Sequence, residues 1–241
     1  MKEILSNRTI MATVAVIAVI LFFFLYYLLA HKKLLKNLIN RLFPSLFVEG
    51  ALEFFSEKLT GIIFTGLLPF LLFHVLLGVR LQSFNIFPPA GNTIWYLVIA
   101  LALVTAVTSF ISSKSATVRE RSPELRTDVW YPRHVLLAGL GWLFYIFGYE
   151  YFFRGILWFL CLDAFGFLPA LAINLVLYAA VHVPKGRFMA IGSVPMGIIL
   201  CLLSYYTGSF HAAFLIHAVM AVTTEIASAW NNPAYQFRIN N

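Results

Sequence analysis

Glu150 and Arg154 lie four residues apart in a long apolar run, and His182 and His217 lie in two later apolar runs of the same chain. An ionisable side chain at bilayer depth costs at least ~2.5 kcal/mol, so such residues are rare and face a cavity or a partner. A carboxylate, a guanidinium and two imidazoles drawn from three spans can build a buried polar site. Hydrolysis of a peptide bond inside a membrane needs such a site: a pocket for water, a base to activate it, and a group to stabilise the oxyanion. A glutamate can act as base and then as acid. Imidazoles can donate to the oxyanion or, when neutral, bind a metal. An arginine at i+4 is well placed to hold the glutamate.

Each residue also has a plainer explanation. Glu150 and Arg154 can neutralise each other and pack the bundle. His182, two residues before Pro184, can be an interfacial hydrogen bonder at a helix end. His217 is harder to dismiss, because Ala212, Ala213 and Phe214 precede it and Ala218, Val219 and Met220 follow, and a buried imidazole needs a partner. His74 and His211 lack a comparable context and are read as structural. Asp163 is expected at the outer interface, and Cys161 and Cys201, both within apolar runs, are read as packing residues.

The elements that must position these groups are membrane helices. Of 241 residues, 61% are hydrophobic and 11% charged, where a soluble domain carries about 25% charged residues. Seven runs are long enough to cross a hydrocarbon core, at about 20 residues each. They are expected near 9–30, 60–79, 94–113, 134–162, 168–183, 188–206 and 210–229. The fold class is therefore all-α and polytopic. Residues 1–130 would hold spans 1–3 and an amphipathic segment, and residues 131–241 the core with the polar residues, within one integral membrane domain. The first run is too long for a signal-peptide core and is kept as a span. A formal charge of +7 could point to nucleic acid, but the basic residues sit in short loops, which fits membrane orientation and no nucleic-acid partner.

Under this layout the loops after spans 1, 3 and 5 carry Lys32, Lys33, Lys36, Arg41, Lys58, Lys114, Arg119, Arg121, Arg126, Arg133, Lys185 and Arg187, and the tail carries Arg238. The opposite side has Lys2, Arg8 and Arg80. The positive-inside rule then places the N-terminus outside and the C-terminus in the cytoplasm. Leu34, Leu35, Leu38, Ile39, Leu42 and Phe43 recur at helical spacing among basic residues, as in an amphipathic helix on an anionic leaflet. Glu49, Glu53 and Glu57 line one helical face, read as solvated, with a basic partner as the alternative.

Glu150-Tyr-Phe-Phe-Arg154-Gly155 resembles the first motif, EExxxR, of the CAAX-protease and bacteriocin-processing (CPBP, or Abi) intramembrane proteases. Tyr178-Ala-Ala-Val-His182 is similar to their second motif, FxxxH, and His217 in Phe214-Leu-Ile-His217-Ala-Val-Met-Ala221 to their third, HxxxN. The similarity covers about residues 130–230. Two positions differ: Tyr149 stands where the family has the first glutamate, which it usually employs to activate water, and Ala221 stands where it has asparagine. Glu150 is then the one carboxylate left in the motif. On an α-helix residues 149 and 150 point about 100° apart, so one cannot simply replace the other. The resemblance implies a bacterial-type membrane protease, in the bacterial plasma membrane, with Glu150, Arg154, His182 and His217 as its site. It leaves the metal open: Glu150, His182 and His217 could ligate a divalent ion such as zinc, but no obvious general base would then remain.

The expected function is hydrolysis of a peptide bond near the cytoplasmic leaflet, in a membrane-associated peptide or protein, with Glu150 activating water and His182 and His217 assisting. The alternative, which Tyr149 and Ala221 favour, is a catalytically silent relative that binds a membrane partner through the same cavity. A small transporter or receptor is the third option, although span 7 has no lysine for a retinal Schiff base.

Overall fold

The computed structural model describes residues 7–42, 50–80 and 94–239. Seven of its helices are long and apolar enough to cross a membrane. The membrane-crossing helices are α1 (Arg8–His31), α3 (Ala51–Leu76), α4 (Trp95–Ser112), α6 (Pro132–Phe165), α7 (Phe167–Lys185), α8 (Arg187–Thr207) and α9 (His211–Trp230). Between them lie the short helices α2 (Leu34–Leu42) and α5 (Ala116–Arg119). Two two-residue strands, β1 (Val129–Trp130) and β2 (Gln236–Phe237), pair in parallel, an addition to the expected all-α chain. The chain is an integral, multi-pass membrane protein.

Burial separates the helices by role. Half of the most apolar window of α6 and of α9 is buried, against 17% in α4. Hence α6 and α9 form the centre. α4 lies against α9 and turns Leu97, Ile99, Leu103 and Val107 outward, the surface a lipid-facing helix needs. α3 and α6 approach closely because two glycines face each other. A Cβ on Gly148 would come within 3.1 Å of the Gly66 backbone.

One boundary differs clearly from expectation. α3 begins at Ala51, well before the expected start near 60, because the charges of its first turns are paired rather than free. Glu53 meets Lys33 at 2.6 Å and Lys36 at 3.1 Å, both at or beside α2. The face carrying Glu53 and Glu57 meets the basic amphipathic helix: Glu53 is paired while still exposed, and half-buried Glu57 accepts from the Tyr26 hydroxyl at 3.5 Å. Glu49 and Phe43 lie outside the described residues. Leu34, Leu38 and Leu42 of α2 are exposed along one side, as an amphipathic helix requires.

At the end where Lys58, Arg121 and Lys185 gather (the basic end), residues 114–131 form a strap across the bundle. The Glu225 carboxylate of α9 accepts the backbone N–H groups of Glu124 (2.8 Å) and Leu125 (2.9 Å). Glu124 pairs with Lys58, which is buried 3.3 Å from the centre of the Trp142 ring. Burial pushes the Glu124 carboxyl up, but Lys58 and Lys185 outweigh it and hold the group below the usual carboxylate range. Arg121 donates to the Lys185 carbonyl at 2.8 Å, and Arg119 to that of Asn231 at 3.2 Å. Gly50, at φ 83°, permits the strap's approach, since a Cβ there would fall 1.5 Å from the Arg126 carbonyl oxygen. At the other end Arg8 and Asp163 pair at 2.9 Å.

Candidate active site

The long helix α6 changes pitch beside its charged residues. Its α-helical first part ends at Glu150, and Tyr151–Leu157 form a wide π-type turn. Such turns shift the backbone hydrogen bonds by one residue and cluster at functional sites. Here the Phe153 carbonyl accepts from the side chain of Asn174, fully buried on α7, at 2.9 Å. Cys201 of α8 donates to the same Asn174 at 3.3 Å. Sequence reasoning passed over Asn174, whose signal was an amide inside an otherwise apolar span.

Glu150 sits between two partners. Arg154 Nη1 lies 3.3 Å from its Oε1 and 3.1 Å from its Oε2. His217 Nδ1, from α9, lies 2.5 Å from Oε1. Glu150 and Arg154 expose no surface, whereas His217 retains 7% of its own. The guanidinium lies 4.1 Å from the centre of the Tyr178 ring, a cation–π arrangement that desolvation strengthens.

His182 stands apart from this trio. Its Nδ1 is 2.7 Å from the Tyr178 carbonyl oxygen one turn back, and it joins the cluster through rings: Tyr178 at 4.6 Å and Tyr149 at 6.4 Å between centres. Tyr149 also meets His217 edge-on at 5.6 Å. Positions 149 and 150 thus both face the cluster, one toward the two histidines and the other toward His217 and Arg154. The Tyr149 hydroxyl is buried with no protein partner among the described residues. His74 bridges the Val79 carbonyl and the Tyr151 hydroxyl, both at 2.6 Å, and His211 bonds Ser209 at 2.7 Å. Both have the structural surroundings expected of them.

Trp142 lies beside Lys58 and Lys185 at the basic end of α6. Glu150 lies about 12 Å further along the helix at 1.5 Å per residue.

Residues 131–223 match the family described as Type II CAAX prenyl endopeptidase Rce1-like. That match supports membership of the CPBP family. The matched segment runs from the start of α6 into α9 and contains Glu150, Arg154, His182 and His217. It supports a CAAX-type intramembrane protease in general. No curated protein and no solved structure matches the chain.

Glu150 Oε1 and His217 Nδ1 cannot both ligate one metal ion as arranged. Oε1 of Glu150 and Nδ1 of His217 are bonded directly to each other at 2.5 Å, which leaves no place for an ion coordinated by both atoms. The described residues contain no cluster of three or more His, Cys, Asp or Glu side chains able to hold one. With these atoms bonded to each other, the chemistry the arrangement offers directly is proton transfer and hydrogen bonding.

Proposed function

We propose that the chain is an intramembrane endopeptidase of the CPBP type that hydrolyses a peptide bond near the cytoplasmic leaflet, in a membrane-associated peptide or protein. The observation that carries this reading is the buried Glu150 carboxylate held between Arg154 and His217. A base–imidazole pair within hydrogen-bond reach is the minimum unit for activating water. In the reaction, the Glu150–His217 pair activates water, with His182 assisting. With Nδ1–H given to the Tyr178 carbonyl, His182 keeps Nε2 as an acceptor. The Tyr149 hydroxyl, buried without a protein partner among the described residues, is a donor that can serve a developing oxyanion.

The test is cleavage of a library of membrane-tethered peptides by the purified protein, wild type beside Glu150→Ala. Cleavage by the wild type alone supports the proposal. Equal signals from both would end it.

The silent-relative reading has its own observation, the tyrosine at position 149. Its ring packs against Phe23 (5.4 Å), Phe153 (4.9 Å) and both histidines. Tyr149→Glu would remove those contacts and bury a second carboxyl beside the first. Loss of a buried aromatic ring typically costs about 3–5 kcal/mol. The variant is therefore expected to melt well below the wild type and to gain no turnover. A Tyr149→Glu protein with normal stability and new activity would favour a silent wild type.

Orientation belongs to the same proposal, with the basic end in the cytoplasm and the membrane that of a bacterial cell. Reporter fusions should then place the C-terminus in the cytoplasm and the N-terminus outside. Both termini on one side would contradict it.

A further inference from the structure

We infer that the atom which takes the proton from water is Nε2 of His217, and that Glu150 is a positioning residue acting through the imidazole. This rests on the protease reading above and assigns the division of labour within that site. Three observations carry it.

The carboxylate is sealed off: Oε1 carries both of its hydrogen bonds, and Oε2, though it accepts none, is fully buried. Oε1 receives His217 Nδ1 at 2.5 Å and Arg154 Nη1 at 3.3 Å, Oε2 lies 3.1 Å from the same Nη1, and Glu150 has no accessible surface. Water has no open face of this group to approach. His217, in contrast, retains 7% of its surface. Its one hydrogen bond among the described residues is the one through Nδ1, and Nε2 is neither bonded nor enclosed. The reachable polar atom of the trio is therefore Nε2.

The tautomer follows from the partner. A carboxylate facing a fully buried arginine accepts and does not donate, so Nδ1 carries the hydrogen and Nε2 keeps its lone pair. That is the division of roles in which a buried carboxylate orients a histidine base and stabilises the imidazolium formed on it. Arg154 keeps Glu150 in place from the next turn, and the Tyr149 ring, edge-on at 5.6 Å, fixes the imidazole from the side.

The step balances without any other reagent. Water forms a bond from its oxygen to the carbonyl carbon while His217 Nε2 takes one of its protons, and the carbonyl π pair moves onto oxygen. As that pair returns, the C–N bond breaks with its electrons going to nitrogen. The proton on Nε2 then passes to the leaving amine, and the imidazole is neutral again.

The test uses the full-length protein in liposomes with a quenched fluorogenic peptide tethered by an alkyl chain. In His217→Asn, the side-chain N–H can stand where Nδ1–H stood and still donate to Glu150, but nothing replaces Nε2. A His217 base predicts that His217→Asn lowers kcat roughly 10³-fold or more, with KM little changed. Glu150→Gln should do the same, and the double variant should be no worse than either, as for residues that act as one unit. If His217→Asn stays within about tenfold of wild type while Glu150→Gln is inactive, Glu150 is the direct base. That outcome overturns the inference and leaves the protease reading standing. No turnover by the wild type removes both. A measurement on the unaltered protein guards against a variant that fails to fold. Nitrogen-15 NMR of labelled histidine should show His217 protonated at Nδ1 and bare at Nε2, and the opposite tautomer overturns the inference.

Discussion

Glu150→Gln is expected to stop turnover and, at the same time, to lower stability by about 3–5 kcal/mol, because it leaves Arg154 as a buried cation without its counter-charge. The two effects have separate causes, and a second change separates them. In Glu150→Gln/Arg154→Met both charges are gone, the aliphatic chain still fills the space against Tyr178 and Phe153, and most of the lost stability should return. Replacing a buried ion pair by apolar groups is often neutral or better. Activity should not return, because the histidine still lacks its carboxylate. Thermal melting and peptide cleavage on the two variants form the experiment. A double variant that melts like wild type and cleaves normally would show that the pair serves packing alone.

Glu225→Ala should release the strap. Two backbone donors, on Glu124 and on fully buried Leu125, would lose their acceptor together, and each unsatisfied buried donor costs about 1–3 kcal/mol. The expected result is a drop of several kcal/mol and fast hydrogen exchange at the amides of residues 124 and 125. Glu225→Gln keeps one carbonyl acceptor and should show roughly half the effect. Unchanged protection at both amides in Glu225→Ala would mean that other strap contacts, such as Arg121 to the Lys185 carbonyl, suffice to hold it.

The membrane helices and the central trio were legible for physical reasons that operate locally. Hydrocarbon thickness sets a minimum apolar length, and seven runs met it. The i, i+4 spacing of Glu150 and Arg154 survives the wide turn as a pair at 3.1 Å. His217 stood out because an imidazole amid alanines demands a partner, and Glu150 is that partner. What stayed hidden depends on contacts between distant segments. The early start of α3 required knowing that Glu53 and Lys58 would be neutralised by Lys33, Lys36 and Glu124. The strap read as an ordinary loop, because its anchor is an acceptor about a hundred residues away on α9. The α-helical geometry expected for positions 149 and 150 holds, but the widening of the helix immediately after them had no local signal. His182, grouped with the others by its apolar run and by the motif resemblance, reaches them through tyrosine rings rather than by a direct bond.

Complete burial of Glu150 and Arg154 has a consequence for populations. The arrangement described is a closed one, and under the protease reading a peptide can react only in a minor state where the rings around Tyr149 have parted. Apparent affinity is then the intrinsic affinity divided by the open fraction, so a one per cent open state weakens binding about a hundredfold. The same arithmetic protects the surrounding membrane proteins. Chains that meet the site only briefly find it shut, and selectivity arises from which partner stabilises the open form rather than from which bond is weakest.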